Sequence, residues 1–239
     1  MNSSPANVCS TPACAVVIGV TGGIGGAVAE SLRASGCYLQ IFGFSRRGDW
    51  TIDITREESV TTAAALVAAA AAPLRLLVIA TGFLHDGEFM PEKSWRDLDT
   101  RHMQHAFLVN AIGPALVMKH FLPLLPPDGR SVCAALSARV ASIDDNRLGG
   151  WHSYRASKAA LNQLVRTCAI ELTRTRPEGI CVALQPGTVA TRLSQPFAKA
   201  GLDVRRPSEA ANRLLAVLDQ LTPEDSGGFF DYSGARISW

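Results

Sequence analysis

The 239-residue chain has no apolar run reaching the ~18 to 20 residues that a membrane-spanning helix needs. It also lacks any block of like charge, any internal repeat and any Pro/Gly/Ser-rich linker, so a single domain is expected rather than a tethered pair. A net charge of +2 leaves no basic surplus for a nucleic-acid partner, and nothing points to a membrane partner. The opening MNSSPANVCSTPAC carries no basic residue and no long apolar stretch, so it does not read as a secretory signal. It reads as a loose leader over residues 1–13, ahead of one domain at 14–239. The six cysteines (Cys9, Cys14, Cys37, Cys133, Cys168, Cys181) form neither a CxxC motif nor a Cys/His cluster. Reduced thiols, a cytoplasmic location and no metal site are therefore expected.

What the chain does have is a composition of 47% hydrophobic and 18% charged residues, enough to fill a sizeable core. Short β-branched runs alternate with longer helical patterns, the mark of βαβ units around a parallel sheet. Strands are expected at 14–20, 38–44, 74–80, 130–136, 180–185 and 228–232. Helices are expected from Ile24 to Ser35, Thr55 to Ala72, Asp99 to Leu122, Ser153 to Thr175 and Ser208 to Leu221. The second opens with the capping-box pattern Thr55/Glu58 and is ended by Pro73. Its alanine-rich stretch needs no functional explanation, because alanine is the best helix former.

The first strand runs into GVTGGIGG (Gly19 to Gly26). The dinucleotide pattern GxGxxG fails here, because the residue five after Gly23 is Val28. A second spacing, GxxxGxG, fits Gly19, Gly23 and Gly25: a tight turn, a close approach to a pyrophosphate, and a close helix-to-sheet contact. A helix beginning at Ile24 then offers free N–H groups and partial positive charge to an anion. Gly22 and Gly26 read as incidental. The second strand ends in GFSRRGD, so Ser45, Arg46 and Arg47 stand where an NAD site would carry an acid. Guanidinium groups bind phosphate through paired hydrogen bonds, which favours NADP(H) over NAD(H). Asp53, with Ile54 beside it in TIDIT after a short strand, is either a contact to the adenine edge or an ordinary turn aspartate.

In WHSYRASKAALNQL, Tyr154 and Lys158 are one helical turn apart and project from one face. A phenol titrates near pH ~10, and a neighbouring ammonium stabilises its phenolate, which suits tyrosine to acid/base work on a carbonyl or alcohol. With the glycine turn and the α/β alternation, these residues resemble the short-chain dehydrogenase/reductase family over about Val16 to Trp239. The segments SARVASIDDNRLGGWHSYRASKAALN and GFFDYSGARISW are most similar to its C-factor-like branch. The resemblance implies an α/β, single-domain Rossmann fold, a doubly wound parallel sheet flanked by helices. It also implies an NAD(P)-dependent oxidoreductase acting on a small carbonyl or alcohol, and a homodimer or homotetramer whose third and fourth helices form the interface.

Residue by residue, the resemblance gives Tyr154 as acid/base and Lys158 as the group that holds the nicotinamide ribose and lowers the tyrosine pKa. Asn110 in FLVNAIGP matches the asparagine that anchors a proton-relay water, Pro186 and Gly187 form a turn, and Val189 and Thr191 meet the nicotinamide amide or a phosphate. Three departures stand out. Ile18 replaces a threonine before the first glycine, and the asparagine-rich segment after the fourth family strand reads Ile79-Ala80-Thr81-Gly82. Of these, Ala80, Thr81 and Gly82 remain cofactor-side residues, Thr81 with a hydroxyl that can restore a bond. The usual double serine is Ser137-Ala138, seventeen residues before Tyr154, and Ser142 lies twelve before it. Ser137 is preferred as the hydroxyl donor to the developing oxyanion, with Ser142 as rival. The alternative reading of the whole is an NAD(P)-binding signalling or regulatory protein with little or no turnover. Arg192 to Arg206 reads as a lid over the substrate.

Overall fold

The computed structural model describes residues 12–197 and 203–239. The leader's first eleven residues, Cys9 among them, and the middle of the expected lid therefore lie outside the described residues. Ala13, assigned to the leader, is already part of the fold: it is buried, and its carbonyl accepts the Leu39 N–H at 2.9 Å.

All six expected strands form, each within a few residues of its expected ends. They are β1 (Cys14–Ile18), β2 (Gln40–Phe44), β3 (Leu74–Ile79), β4 (Ser131–Leu136), β5 (Gly179–Gln185) and, last in the chain, β8 (Phe229–Asp231). All pair in parallel in the order β2-β1-β3-β4-β5-β8, and a separate two-stranded ribbon joins β6 (Thr188–Val189) to β7 (Val204–Arg205). Because strand side chains alternate, β1 sends Cys14, Val16 and Ile18 into one core and Ala15 and Val17 into the other. On the first face the sheet is covered by α2 (Glu57–Ala68), α4 (Gly113–Phe121) and α5 (His152–Thr173); on the second, by α1 (Gly23–Ser35) and α6 (Pro207–Gln220). The chain leaves β1 for β2 on one side and returns to β3 on the other. The resulting crevice at the strands' carboxyl ends is where open α/β sheets bind ligands.

Three local readings change. The short strand expected ahead of Asp53 is reduced to one isolated bridge, Ser45 to Thr51. The Thr55/Glu58 capping box does not form, because the Thr55 hydroxyl and N–H both go to Asp53 Oδ1 (2.6 and 3.0 Å), and α2 starts two residues later. The third helix is broken in two. After α3 (Thr100–Phe107, capped by Asp99), Leu108–Ile112 forms a π turn before α4 begins. Pro114 explains the break, since it has no N–H for the Asn110 carbonyl four residues back.

Taken whole, Thr100–Leu124 is long and apolar enough to cross a membrane, with a mean hydropathy of 1.4, although no uninterrupted apolar run announces it. Only 39% of it is buried inside the structure: Val117, Met118 and Phe121 are in the core, whereas Ile112 is exposed. Cys14, Cys133, Cys168 and Cys181 are free thiols as expected, whereas Cys37 is disulfide-bonded.

The glycine turn is built by close approach. Gly19 has φ +99°, and Gly25 comes so near that a Cβ there would lie 2.4 Å from the Gly19 carbonyl oxygen. Gly26 is not incidental, since its Cβ would meet the Val20 carbonyl oxygen at 2.9 Å. Ile18 costs the turn a hydroxyl, but the Gly19 and Val20 N–H groups tie it to β2 by donating to Phe44 O (2.8 and 3.2 Å). Gly25→Ala is expected to lower unfolding free energy by about 1–3 kcal/mol through overpacking. Gly87→Ala, where nothing lies within 4 Å, should stay within about 0.5 kcal/mol. Urea denaturation of the two variants checks the difference.

Candidate active site

The start of α5 carries the chemistry, and two unusual features fix it. Trp151, its N-cap, has φ +53°, the one positive φ among described residues other than glycine, and it follows Gly149 and Gly150, which also have positive φ. Such a conformation stores strain unless the surroundings over-determine it. Glu92 supplies the constraint. Its carbonyl accepts the Trp151 N–H, and both carboxylate oxygens accept the Ser153 N–H at 3.2 Å while one also accepts the Ser153 hydroxyl. With His102 Nδ1 3.4 Å away and a side chain 1% exposed, Glu92 is a buried carboxyl group at the N-terminus of α5.

Tyr154, Lys158 and Asn162 follow at four-residue intervals on the buried face of α5, and Lys158 and Asn162 meet the chain at the end of β4. Lys158 Nζ donates to Leu136 O at 2.8 Å. Burial dominates both titrating groups: it pushes the Tyr154 phenol up to about 12 and pulls the Lys158 ammonium down to about 7. This corrects the expectation that the lysine lowers the tyrosine pKa. With no ligand present, the loss of hydration outweighs the mutual effect, and Tyr154 is held as the phenol.

Asn110 is completely buried at the π turn. Its Oδ1 accepts the Phe83 N–H at 2.7 Å, and its Nδ2 donates to Phe83 O at 2.8 Å and to Ser157 Oγ at 3.0 Å. It thus pins the loop after β3, and Gly82 within that loop sits beside it: a Cβ on Gly82 would be 3.6 Å from Lys158 Nζ and 3.8 Å from Asn110 Oδ1. The two candidate serines part company. Ser137 lies at the end of β4, next to the carbonyl that holds Lys158, and its hydroxyl donates to Asn162 Oδ1 at 2.7 Å. Ser142 is turned toward the chain terminus, donating to Trp239 O at 3.3 Å and accepting the Asp145 N–H.

Several of the residues expected to hold a dinucleotide come together around the glycine turn. No side chain caps the N-terminus of α1 and no acid occupies its first turn, so the N–H groups at Gly23, Ile24 and Gly25 face the glycine turn open to an anion. A Cβ on Gly23 would press on Thr191 Cγ2 at 2.8 Å, and one on Gly19 would meet Ala80 O at 2.9 Å and Thr81 Cγ2 at 3.3 Å. The loops after β1, β3 and β5 therefore converge on the same space. Thr81 Oγ1 is buried without a hydrogen-bond partner, an orphan hydroxyl that calls for an explanation. Ser45 is buried, its hydroxyl donating to Arg47 O, while the Arg46 and Arg47 side chains are exposed and form no ion pair among the described residues.

Asp53 is a turn aspartate, one oxygen committed to Thr55; that bond, with Arg46 and Arg56 nearby, holds its carboxyl below the usual range. Ile54 packs under Gly113. Past Pro186, Gly187 turns at φ +78°, the Val189 carbonyl accepts the Ser194 hydroxyl, and the Thr191 hydroxyl lies 3.3 Å from Ser194 Oγ. Among the described residues no group of three or more His, Cys, Asp or Glu side chains is placed to hold a metal ion.

Beyond Tyr154 runs a chain of rings: Trp151 to Tyr154 at 6.2 Å, Trp151 to Phe197 at 5.0 Å, Phe197 to His85 at 5.3 Å, with His85 Nε2 donating to Leu193 O. Sequence reading missed Glu92, Asn162 and these rings. Each acts through a partner 25 to 108 positions away or in an unpatterned loop, and no spacing rule signals such pairs.

Two predictions follow from burial. Glu92→Ala strips α5 of its N-terminal carboxylate and leaves buried donors at Ser153, at a cost on the order of 1–3 kcal/mol, measurable by chemical denaturation. For Lys158, the folded pKa lies below the ordinary 10.5, so the unfolded chain keeps a proton between about pH 7 and 10.5 that the folded chain has released. Stability contributed by this site therefore rises with pH across that window and is flat below it. The melting-temperature gap between the cofactor-free wild type and Lys158→Met should shift in favour of the wild type from pH 7 to pH 9.5; a constant gap contradicts the assignment.

Comparison with known proteins agrees with this geometry. A family model described as enoyl-(acyl carrier protein) reductase matches residues 19–225. The C-signal protein of Myxococcus xanthus is 39% identical over 145 residues, covering 60% of this chain and 82% of that one. The 1-hydroxy-2-glutathionyl-2-methyl-3-butene dehydrogenase of Rhodococcus sp. (strain AD45) is 32% identical over 189 residues, 79% of this chain and 78% of that enzyme. The NADPH-bound carbonyl reductase from chicken fatty liver superposes with a TM-score of 0.83 at 25% identity, over 96% of this chain and 99% of that one. With the glycine cradle, the Tyr154–Lys158 turn and the parallel sheet already in place, these matches establish that the chain belongs to the short-chain dehydrogenase/reductase family, the NAD(P)-dependent oxidoreductases of the classical type.

Proposed function

We propose that the protein is an NADP(H)-preferring reductase of a small carbonyl compound. The observation that carries this reading is the buried Tyr154 phenol, set one turn from Lys158 on the face of α5 that meets the end of β4. When bound, the cofactor supplies the hydride. The protein's part is to position, desolvate and protonate. Tyr154, a neutral phenol at physiological pH, gives its proton to the carbonyl oxygen as charge develops there. A protonated Lys158 has three N–H groups, of which one donates to Leu136 O, so two are left for the tyrosine oxygen and a ribose hydroxyl. Asn110, with its backbone carbonyl released by Pro114, links the lysine toward solvent. Ser137 is the hydroxyl donor to the substrate oxygen, since Ser142 is directed to the C-terminal carbonyl.

Arg46 and Arg47, exposed and unpaired among the described residues, support the preference for NADP(H) through the 2′-phosphate. The exposed apolar groove of Met103, Phe107, Leu108 and Ile112 on the broken third helix is the face through which two copies associate, giving a homodimer or a homotetramer.

One observation favours a second reading, an NAD(P)-binding regulatory protein with little turnover. The single proton of Ser137 is directed to Asn162 rather than into the site. The similarity to the C-signal protein points the same way.

Two measurements test the first reading. Tyr154→Phe should keep NADPH affinity within about threefold and lose carbonyl reduction by at least 100-fold, as expected for a general acid; undiminished turnover contradicts the mechanism. The Arg46→Ser/Arg47→Ser variant should weaken NADPH binding by roughly 10- to 100-fold, the scale of charge-assisted hydrogen bonds, and leave NADH binding nearly unchanged. Equal losses for both cofactors contradict the 2′-phosphate contact.

A further inference from the structure

Asn162 lies two helical turns beyond Tyr154, 2% exposed, with its amide against Ser137. Ser137 is equally enclosed, its N–H donating to Leu184 O at 2.7 Å and its Oγ 2.7 Å from Asn162 Oδ1. In this arrangement Asn162 Nδ2 is buried without any partner. The pair is therefore mismatched twice. A hydroxyl has one proton, and here it is given to an amide oxygen instead of to a substrate, while a two-proton donor beside it goes unused. A half-turn of the carboxamide exchanges Nδ2 and Oδ1 in nearly the same volume and removes both faults. Nδ2 then donates to Ser137 Oγ, and the hydroxyl proton is released from the amide. What remains is an under-satisfied carbonyl oxygen, which protein interiors tolerate better than an orphaned N–H.

We propose that Asn162 is a positioning residue: in the reactive complex its amide nitrogen donates to Ser137 and thereby aims the serine proton at the substrate oxygen. The proposal rests on the carbonyl-reductase reading given above. It also explains how a single serine, without the second hydroxyl that Ala138 lacks, serves as a donor. Deprived of a donor at its own oxygen, a serine in this pocket keeps its proton on the amide and the site stays incomplete. The same two orientations thus separate a working oxyanion donor from a closed one.

The test is a double-mutant cycle in the full-length protein, with NADPH and 4-nitrobenzaldehyde as the probe pair. Asn162→Asp has nearly the same shape but can only accept, so it fixes the serine proton away from the substrate. Ser137→Ala and Asn162→Asp should each lower kcat on the order of 100-fold, the usual effect of losing one oxyanion donor, with the KM for aldehyde and the Kd for NADPH each changed by less than about threefold. The double variant should be no slower than either single, because the two residues act as one unit. Asn162→Ala, verified as folded by circular dichroism and NADPH binding, guards against misfolding of the aspartate variant and should also lose kcat rather than affinity. A folded Asn162 variant with kcat within threefold of wild type, or losses that multiply in the double, overturns the proposal.

A crystal structure of the NADPH complex below about 1.2 Å, where hydrogens become visible, separates this claim from the redox reading. If the amide protons face Ser137 but no aldehyde is reduced by the wild type, the positioning stands and the reductase assignment falls. If aldehydes are reduced while the amide oxygen faces Ser137, the reductase stands and the positioning falls.

Discussion

A buried ammonium with one carbonyl partner is the constraint from which the rest of the site is built. Lys158 Nζ reaches Leu136 O at the end of β4 and is otherwise cut off from water, which is why its pKa falls to about 7. A lone ammonium is costly to bury, and the lowered pKa is the response to that cost. The neighbouring features are arranged around this lysine. Gly82 leaves the space above the lysine clear, Asn110 fixes the loop that carries Gly82, and Pro114 breaks the helix so that Asn110 stands where it does. Glu92 holds the start of α5 so that Tyr154 and Lys158 present one face. The desolvation that weakens the lysine's charge also keeps the tyrosine protonated, which matches a proton donor in carbonyl reduction.

The cofactor cleft follows a different economy, in which small residues replace strong contacts. Three loops come within van der Waals reach at Gly19, Gly23 and Gly25, and the helix they open on is left uncapped. A helix N-terminus without a side-chain cap is an incomplete structure in water, and an anionic ligand completes it. The unpartnered Thr81 hydroxyl and the two exposed arginines extend the same incompleteness along the cleft. The loss of the usual threonine at Ile18 matters little, because backbone bonds to Phe44 secure the turn instead.

How much of this was legible in the sequence depended on how local the signal was. The six strands of the main sheet and the start of α5 are written in runs and spacings of a few residues, and each appears where those patterns put it. The Tyr154–Lys158 turn is of the same kind. Errors came where one residue's bonding was redirected by another. Thr55 was read as a helix cap and is taken by Asp53, and Gly26 was read as incidental although a backbone carbonyl across the turn leaves no room for a Cβ. The tyrosine pKa was expected to fall and rises, because spacing tells of the lysine's nearness but not of the burial they share. Glu92 with Ser153, and Asn162 with Ser137, are contacts across 61 and 25 positions that only the folded chain reveals.

The central claim is that this cleft delivers a hydride to a carbonyl carbon while Tyr154 protonates the oxygen. Incubation with NADPH carrying deuterium at C4 of the nicotinamide, followed by mass spectrometry of the alcohols from an aldehyde panel, tests it directly. The account predicts deuterium on the former carbonyl carbon of at least one product in the wild type and none above background in Tyr154→Phe. Tight NADPH binding with no deuterium transferred to any aldehyde would contradict it.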